Sequence, residues 1–508
     1  MRKILSISIF VLLCLTKVAL AEEKYPCQKI ADNFIKAQAT KHAVSALFAM
    51  TENGDTLLSW NSHQRMTPAS NMKLLSTGAA LLSLGPDYRY TTQIGYEGEI
   101  IDSTLHGNLY IIGCGDPTLA SHNKYAKPIA KTFAQWHKIV LDAGINTIDG
   151  FIIGDGEWIE GMKEHGSWCW EDIGTYYGTG VSGLNFYENV ISFNINPGQE
   201  IGSPLSIKQK YPQTSWMNFS FPCTTGPQGT GDKLYLYTTD LSPVGELRGT
   251  FAVDRSTKTI YCSNKFPEYT CAVYFKNYLQ ARGIKCTKGA SDLGSVFNFS
   301  SSTKNKKKTI IGESKSIPLA RIAEITNFDS NNLYADILFR TMGKHFGEEN
   351  SFEESSNVMI ETLEDLLKMD ANPESVKVLE EVQITDGSGL SRKNFLSAAF
   401  LATYLKAIMK TPAWESFLSS LPSPGSEGSM QNFMSNYPIE LKNRIRLKSG
   451  SMNGIRCYSG YILPSKQGTQ ARESVITFSI MANNFTAPQH QVQKEIEKAI
   501  ANLAEYNS

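Results

Sequence analysis

The spacing of apolar residues changes twice along this chain of 508 residues, and that change limits the folds open to it most strongly. Over residues 90–286 apolar residues alternate in short runs that Gly, Pro and Asn interrupt, which is typical of β-strands. Helical spacing precedes this stretch and returns from Ile317. A chain of this length is too long for one hydrophobic core. We therefore predict at least two domains, one of them mostly β.

The first 21 residues predict an export signal. Arg2 and Lys3 precede an apolar run over residues 4–15, and small residues at 18–21 suit cleavage before Glu22. An N-terminal membrane helix is the alternative, although the run is short for a bilayer. No later run of about 18 apolar residues occurs, so we expect no integral membrane segment in the mature chain. The export signal predicts a location in the periplasm or cell-wall space. The formal net charge of zero does not suggest a nucleic-acid partner.

Eight cysteines remain after the signal, an even number that is compatible with disulfides in an exported protein. Pairing is expected most within the β-rich stretch, at Cys223, Cys262, Cys271 and Cys286. Neither the cysteines nor the eight histidines show a metal-ligand spacing, so no metal site and no cofactor is predicted.

Several local features outside the chemical motifs are also predicted. Residues 44–60 read as a hairpin turning at residues 52–55. The last helix carries Val492, Ile496, Ile500 and Leu503 on one face, which predicts core packing, with a membrane anchor as the alternative. Asp155 follows a strand-like run, and structural use is expected there ahead of a role in a site.

A serine and a lysine three residues apart form the first chemical motif. Ser70-Asn71-Met72-Lys73 follows a Pro-Ala turn and opens an apolar helix, so both functional side chains lie on one helix face. A desolvated neutral lysine can take the proton of a serine hydroxyl and make it nucleophilic. Ser70 is therefore the candidate nucleophile and Lys73 its base.

A lysine, a hydroxyl and a glycine on a predicted strand form the second motif. Lys448 can supply positive charge for a substrate carboxylate, Ser449 a hydrogen bond, and Gly450 room for the substrate backbone. The backbone N–H groups of Ser70 and Ser451 can form an oxyanion hole, where one donor is typically worth about 10²–10³ in rate.

The third motif is Ser330-Asn331-Asn332, which is informative because it lies between the other two motifs along the chain. Ser330 can relay protons between Lys73, Lys448 and a leaving amine, and Asn332 can bind the peptide carbonyl of a substrate.

The order S-x-x-K, S-x-N, K-[ST]-G resembles the serine penicillin-recognising enzymes. The flanking segments are similar to the class C low-molecular-mass penicillin-binding proteins, which are serine D-Ala-D-Ala carboxypeptidases/endopeptidases of the penicillin-binding protein 4 type. The segments are PASNMKLLSTGAALLSLGPDYRYTT (68–92), GNLYIIGCGDPTL (107–119), SNNLYADILFRTMG (330–343), DGSGLSRKN (386–394), LPSPGSEGSM (421–430) and KSGSMNGIRCYSGYI (448–462). The chain departs from the family at Ser449, where threonine is usual, at Asn331, where aspartate is common, and at Cys114, which we cannot interpret.

The resemblance implies an α/β (α+β) fold, a serine β-lactamase/penicillin-binding transpeptidase-like domain whose antiparallel sheet is flanked by helices. The long separation of Ser70 from Ser330 implies that a large, mostly-β insertion interrupts this domain. The expected division is a signal at 1–21, the catalytic domain at 22–88 and 312–508, and the insertion at 89–311, with one subdomain nested in another. We expect the insertion to shape access to the site, a scaffolding role being the alternative, and residues 386–392 to buttress the site, a plain turn being the alternative.

The implied function is hydrolysis of the D-Ala-D-Ala ends of peptidoglycan stem peptides through an acyl-enzyme on Ser70, with β-lactams as covalent inhibitors. The alternatives are a β-lactamase or esterase of the same fold, for which no deacylating Glu loop is recognisable, and a wall-binding protein without turnover. A Ser-His-Asp hydrolase is a further alternative, but the chain has no G-x-S-x-G elbow.

Overall fold

The structure is a computed structural model that describes residues 25–294, 296–301, 306–370, 372–465 and 474–506. The export signal expected at residues 1–21 lies outside the described residues. The chain begins with helix α1 (Gln28–Lys36), strands β1 (Val44–Thr51) and β2 (Thr56–Trp60), and helix α2 (Met72–Leu84). β1 and β2 pair antiparallel, which confirms the hairpin predicted to turn at residues 52–55.

The β-rich stretch contains short strands and a few helices. The strands are β3 (Thr91–Ile101), β4 (Thr104–Ile112), β5 (Thr147–Ile148), β6 (Ile152–Asp155), β7 (Val190–Asn196), β8 (Ser206–Tyr211), β9 (Asn218–Ser220), β10 (Cys223–Gly226), β11 (Asp232–Thr239), β12 (Ser242–Ala252), β13 (Lys258–Ser263), β14 (Lys285–Cys286), β15 (Ala290–Asp292) and β16 (Thr309–Lys315). The helices are α3 (Ile129–Asp142), α4 (Trp170–Ile173) and α5 (Pro267–Ala281).

Helices dominate the rest of the chain until its last strands complete the main sheet. The helices are α6 (Leu319–Phe328), α7 (Asn332–Phe346), α8 (Phe352–Lys368), α9 (Glu374–Lys377), α10 (Ala398–Ile408), α11 (Trp414–Ser420), α12 (Ile439–Arg444) and α13 (Gln489–Glu505). The strands are β17 (Ile445–Met452), β18 (Ile455–Ile462) and β19 (Ile476–Asn483).

The main sheet is antiparallel, with the order β17-β18-β19-β1-β2, and helices cover both of its faces. Side chains of a strand alternate between faces, so Phe48 and Met50 of β1 join the core that includes α2, α6–α8 and α10. Leu47 and Ala49 join a second core with α1 and α13. Since both faces of the sheet are buried, the residues of β17 lie on a rigid support.

The stripe of α13 packs in the second core, as the sequence predicted. Val492, Ile496, Ile500 and Leu503 are all fully buried. Within the described residues, no helix has the length and apolar character needed to cross a bilayer.

The inserted stretch, over the residues that the structure describes, forms three sheets around separate cores. A seven-stranded sheet takes β3–β6 from its start and β14–β16 from its end, and α3 and α5 pack on it. The three-stranded sheet (β13-β7-β8) and the four-stranded sheet (β9–β12) come from the middle and enclose another core. We therefore propose that one subdomain is nested inside the other. β16 pairs with β3 as far as Lys315, so the seven-stranded sheet continues past residue 311.

The expected disulfides are not formed: all eight cysteines of the described chain are free thiols. Cys271 is buried in the core of the seven-stranded sheet, which separates it from Cys223 and Cys262. Cys223 and Cys262 share the core between the smaller sheets, where each is a free thiol that packs as a small apolar side chain. The prediction of pairing within the insertion is therefore wrong for this structure.

Candidate active site

Ser70 lies in a 3-10 turn (Ala69–Asn71) that leads directly into α2. Ala69 adopts a left-handed backbone with φ of 46°, which costs a residue with a side chain roughly 1 kcal/mol or more. Two glycines press against this turn. A Cβ on Gly389 would stand 1.9 Å from the carbonyl oxygen of Ala69, and a Cβ on Gly450 would stand 2.4 Å from that of Pro68. The turn that carries Ser70 thus lies between the 386–394 loop and β17.

Lys73 lies one turn further along α2, fully buried, and contacts Ser70 as its spacing predicted. Its Nζ is 2.9 Å from Ser70 Oγ, 2.6 Å from Asn332 Oδ1 and 2.6 Å from the carbonyl oxygen of Ser388. Burial lowers the pKa of Lys73 to about 7, against the opposing effect of the carboxylates of Asp336 and Asp386. A substantial fraction of this lysine is therefore neutral near neutral pH.

The Ser388 carbonyl is aimed at Lys73 by a buried aspartate of α7. Asp336 Oδ1 accepts hydrogen bonds from the backbone N–H groups of Gly387 and Ser388, both at 2.8 Å. Burial raises the pKa of Asp336 to about 8. The sequence reasoning missed Asp336, although its position four residues after Asn332 on one helix face was a usable signal.

Asp386 organises the loop that the sequence flagged as a possible buttress. Its carboxylate accepts from the backbone N–H groups of Gly389 and Ser391, from Asn394 Nδ2 and from Trp168 Nε1, at 2.6–2.8 Å. Asp386 is fully buried, and Gly389 rests on the Ser70 turn. The loop thus holds both the nucleophile turn and an acceptor of Lys73.

The S-x-N motif lies at the start of α7 and contacts both Lys448 and Lys73. Ser330 has a left-handed backbone with φ of 55°, and its Oγ accepts a hydrogen bond of 2.9 Å from Lys448 Nζ. Asn332 accepts from Lys73 through Oδ1, and its Nδ2 donates to the carbonyl oxygen of Tyr177 at 2.8 Å. One N–H of the Asn332 amide therefore holds the insertion, which leaves the other for the predicted contact with a substrate carbonyl.

The K-[ST]-G motif lies on β17, at the edge of the main sheet. Lys448 is fully buried, and burial followed by the charge of Lys73 lowers its pKa well below the usual range. Its Nζ donates to Ser330 Oγ and to the carbonyl oxygen of Ser449, both at 2.9 Å. Ser451 is exposed, while Gly450 is covered by the Ser70 turn. A bound carboxylate would favour the charged form of Lys448 and offset its burial.

A cleft of about 860 Å³ opens above these groups. Ser70, Ser330, Asn332 and Ser451 are among the residues that line it. The inserted stretch also contributes to the lining, with His122, Glu171, Asp172, Tyr176, Tyr177, Glu188, Val190, Tyr235 and Tyr261. Residues in or next to the three motifs and residues of the insertion therefore border one cleft.

Asp155 has a structural role in this arrangement. It is buried on β6, forms an ion pair with Lys308 and accepts a hydrogen bond from the backbone N–H of Glu157 at 3.1 Å. It also does not line the cleft among the residues that the structure describes. This agrees with the structural use expected from the sequence.

Relatives and solved structures match this chain over nearly its whole length. A D-alanyl-D-alanine carboxypeptidase of Actinomadura sp. (strain R39) is 26% identical over 498 residues, covering 94% of this chain and 84% of that protein. The crystal structure of penicillin binding protein 4 from Haemophilus influenzae matches with a TM-score of 0.77 at 18% identity, covering 94% of this chain and 99% of that one. The same protein complexed with a novel beta-lactam matches with a TM-score of 0.72 at 17% identity, covering 94% and 98%. These structures confirm the expected fold.

The family assignment comes from a match over most of the chain. The model of the D-Ala-D-Ala carboxypeptidase 3 (S13) family matches residues 27–506, and this range contains all three sequence motifs and the insertion. The resemblance seen in the motifs is thereby confirmed. The chain belongs to the D-Ala-D-Ala carboxypeptidase 3 (S13) family.

Proposed function

We propose that this family member hydrolyses the D-Ala-D-Ala ends of peptidoglycan stem peptides through an acyl-enzyme on Ser70. The observation that carries the proposal is the setting of Lys73, a buried amine with a pKa of about 7 that contacts Ser70 Oγ at 2.9 Å. A serine hydroxyl needs a base within hydrogen-bond reach, and a desolvated lysine is one of the groups that can act as such a base.

The three contacts of Lys73 fix the direction of its lone pair. Asn332 Oδ1 and the Ser388 carbonyl oxygen can only accept hydrogen bonds, so they take the two N–H bonds of a neutral amine. The lone pair then faces the remaining neighbour, the hydroxyl of Ser70. This arrangement prepares the transfer of the Ser70 proton to Lys73 without any change of side-chain position.

The acylation step follows from this geometry. As the Ser70 proton moves to Lys73, Ser70 Oγ forms a bond to the carbonyl carbon between the two D-Ala residues. The backbone N–H groups of Ser70 and Ser451 hold the oxyanion. The C–N bond then breaks as the proton held by Lys73 passes through Ser330 to the leaving amine of the last D-Ala, which leaves Lys73 neutral again. Lys73 then takes a proton from water, whose oxygen attacks the ester, and returns that proton to Ser70 Oγ as the shortened peptide is released.

Residues of β17, together with Asn332, bind the substrate. Lys448 pairs with the terminal carboxylate and Ser449 adds a hydroxyl donor, while Gly450 lets the chains approach. The contact of Lys448 with Ser330 supports this role, because it joins the carboxylate site to the proton relay. Asn332 offers its second N–H to the peptide carbonyl of the substrate.

The proposal extends to partners and location. β-Lactams would acylate Ser70 as covalent inhibitors, which the complex of the Haemophilus influenzae protein with a novel beta-lactam supports. Residues 1–21 would direct export to the periplasm or cell-wall space. The insertion would shape access for bulky wall material, since its residues contribute to the lining of the cleft.

The test is intact-protein mass spectrometry after incubation with benzylpenicillin, together with release of D-Ala from a wall pentapeptide. One adduct should form on the peptide that holds Ser70, and Ser70→Ala should lose both the adduct and the release. Ser83→Ala, on the same helix, is the matched control and should retain both. An adduct that persists in Ser70→Ala, or an acylated protein that releases no D-Ala, would contradict the proposal.

The role of Lys448 has a separate test. Lys448→Ala should lower the rate of acylation severalfold or more, with the fold intact by circular dichroism. Lys494→Ala, which removes an exposed lysine of α13, should leave the rate unchanged. Equal rates for Lys448→Ala and the native protein would mean that another group holds the carboxylate.

A further inference from the structure

Glu188 belongs to the insertion but reaches the S-x-N motif. It lies in a turn in which Tyr187, Glu188 and Asn189 all adopt left-handed backbones, with φ of 53–54°. Such conformations persist only where the surroundings fix them, and they cluster at functional sites. The Glu188 side chain is only 11% exposed, and it lines the catalytic cleft.

The first contact of Glu188 is with the middle residue of the S-x-N motif. Asn331 Oδ1 accepts from the backbone N–H of Tyr334 at 3.1 Å and caps α7. Its Nδ2 donates to Glu188 Oε2 at 2.9 Å. Both ends of the amide are therefore in use, one as an acceptor and the other as a donor. An aspartate at position 331 would keep the cap but would lose the donor.

A second contact joins Glu188 to the same helix one turn later. Ser121 Oγ donates to Glu188 Oε1, and the hydroxyl of Tyr334 donates to Ser121 Oγ at 3.1 Å. His122 Nδ1 lies 3.6 Å from Glu188 Oε1. One carboxylate thus ties the insertion to both Asn331 and Tyr334, on either side of the first turn of α7.

We infer that Glu188 is a positioning residue for Ser330 and that it specifies asparagine at position 331. Ser330 has a strained left-handed backbone next to Asn331, and its Oγ meets Lys448. Anchoring Asn331 from the insertion fixes the turn that aims this hydroxyl. The inference deepens the proposed function, on which it rests, because it adds a residue of the insertion to the support of the proton relay.

The contact of Asn331 with Glu188 disfavours an aspartate at position 331. With Glu188 in place, Asn331→Asp would bring two carboxylates to about hydrogen-bond distance, and like charges so close disfavour the ionised form of at least one. The groups that face the Glu188 carboxylate are His122, Tyr187 and Tyr334, and all three remain in every variant below.

The experiment is a double-mutant cycle on the full chain, read as the second-order rate of acylation by benzylpenicillin across the pH range. Asn331→Asp should slow acylation about tenfold at pH 8, and its ratio to the native rate should rise toward pH 6, where protonation of one carboxylate restores a donor. Glu188→Gln combined with Asn331→Asp should return the rate to within about threefold of native at every pH, because the amide introduced by Glu188→Gln can donate to the new carboxylate.

The matched control is Asn357→Asp on the exposed surface of α8, where Asn357 Nδ2 donates to Glu354 Oε2 at 3.4 Å. It creates a similar carboxylate pair far from the motif and should leave acylation unchanged. A double variant as slow as Asn331→Asp, or an Asn331→Asp rate ratio that is the same at every pH, would overturn the inference. A native protein that benzylpenicillin does not acylate would instead overturn the proposed function.

Discussion

Lowering the pH should switch off the acylation of Ser70 with a midpoint near pH 7, because Lys73 must be neutral to take the serine proton. Burial is the main cause of the lowered pKa of Lys73, and the carboxylates of Asp336 and Asp386 oppose it. The sign follows from the charge: a buried amine loses its proton more readily, so the active neutral form dominates above the pKa. The rate should therefore rise with pH and then level off.

The magnitude follows from the pKa of about 7. About half of the enzyme carries a neutral Lys73 at pH 7, and only about one molecule in a hundred does so two pH units lower. An ordinary lysine with a pKa near 10.4 would be neutral in fewer than about one molecule in a thousand at pH 7. The structure thus predicts a roughly hundredfold fall in rate between pH 9 and pH 5.

The assay is the second-order rate of acylation by a fluorescent penicillin, followed from about pH 5 to pH 9 while circular dichroism monitors the fold. Lys73→Arg should lose about 10²–10⁴ of the plateau rate measured above pH 7 and should lack the acid limb, since arginine stays protonated and cannot act as the base. Lys448→Ala should lower the plateau but keep the midpoint near pH 7.

Two results would refute this reasoning. A rate that does not change over this pH range would mean that no base with a pKa near 7 acts in the step. A profile whose acid limb disappears in Lys448→Ala would assign the titration to Lys448, the neighbouring lysine whose pKa is also lowered.

Three further predictions concern the support of the site. Gly450→Ala would place a Cβ 2.4 Å from the carbonyl oxygen of Pro68, and the resulting overpacking should lower the rate of acylation tenfold or more. The control Gly289→Ala meets no atom within 4 Å and should leave that rate unchanged. Asp386→Asn leaves buried N–H donors facing a nitrogen and should lower the free energy of unfolding by about 1–3 kcal/mol in urea titrations; an unchanged midpoint would contradict the role of the loop. Thiol titration of the denatured, unreduced mature protein should count eight free thiols, and a lower count would show that disulfides form.

The main features of the fold followed from residue patterns because those patterns are local. The helical stripe of α13 predicted which side chains meet a core, and the structure buries them accordingly. The apolar runs of residues 44–60 around a turn likewise predicted the hairpin of β1 and β2. The Ser70–Lys73 pair was predictable for the same reason, since three residues along a helix fix two side chains on one face. Cysteine pairing was not predictable, because an even count carries no information about which thiols approach each other.

What the sequence by itself determined is the identity and order of the reactive groups and the family to which the motifs point. Only the tertiary structure decided the surroundings of Lys73: burial lowers its pKa, and its hydrogen-bond acceptors Asn332 and Ser388 lie 259 and 315 residues away along the chain. The same holds for the contact of Glu188 with Asn331, which joins the insertion to the S-x-N motif across 143 residues. The physical reason is that a pKa and a hydrogen-bond partner depend on burial and on neighbours in space, which packing of distant segments creates.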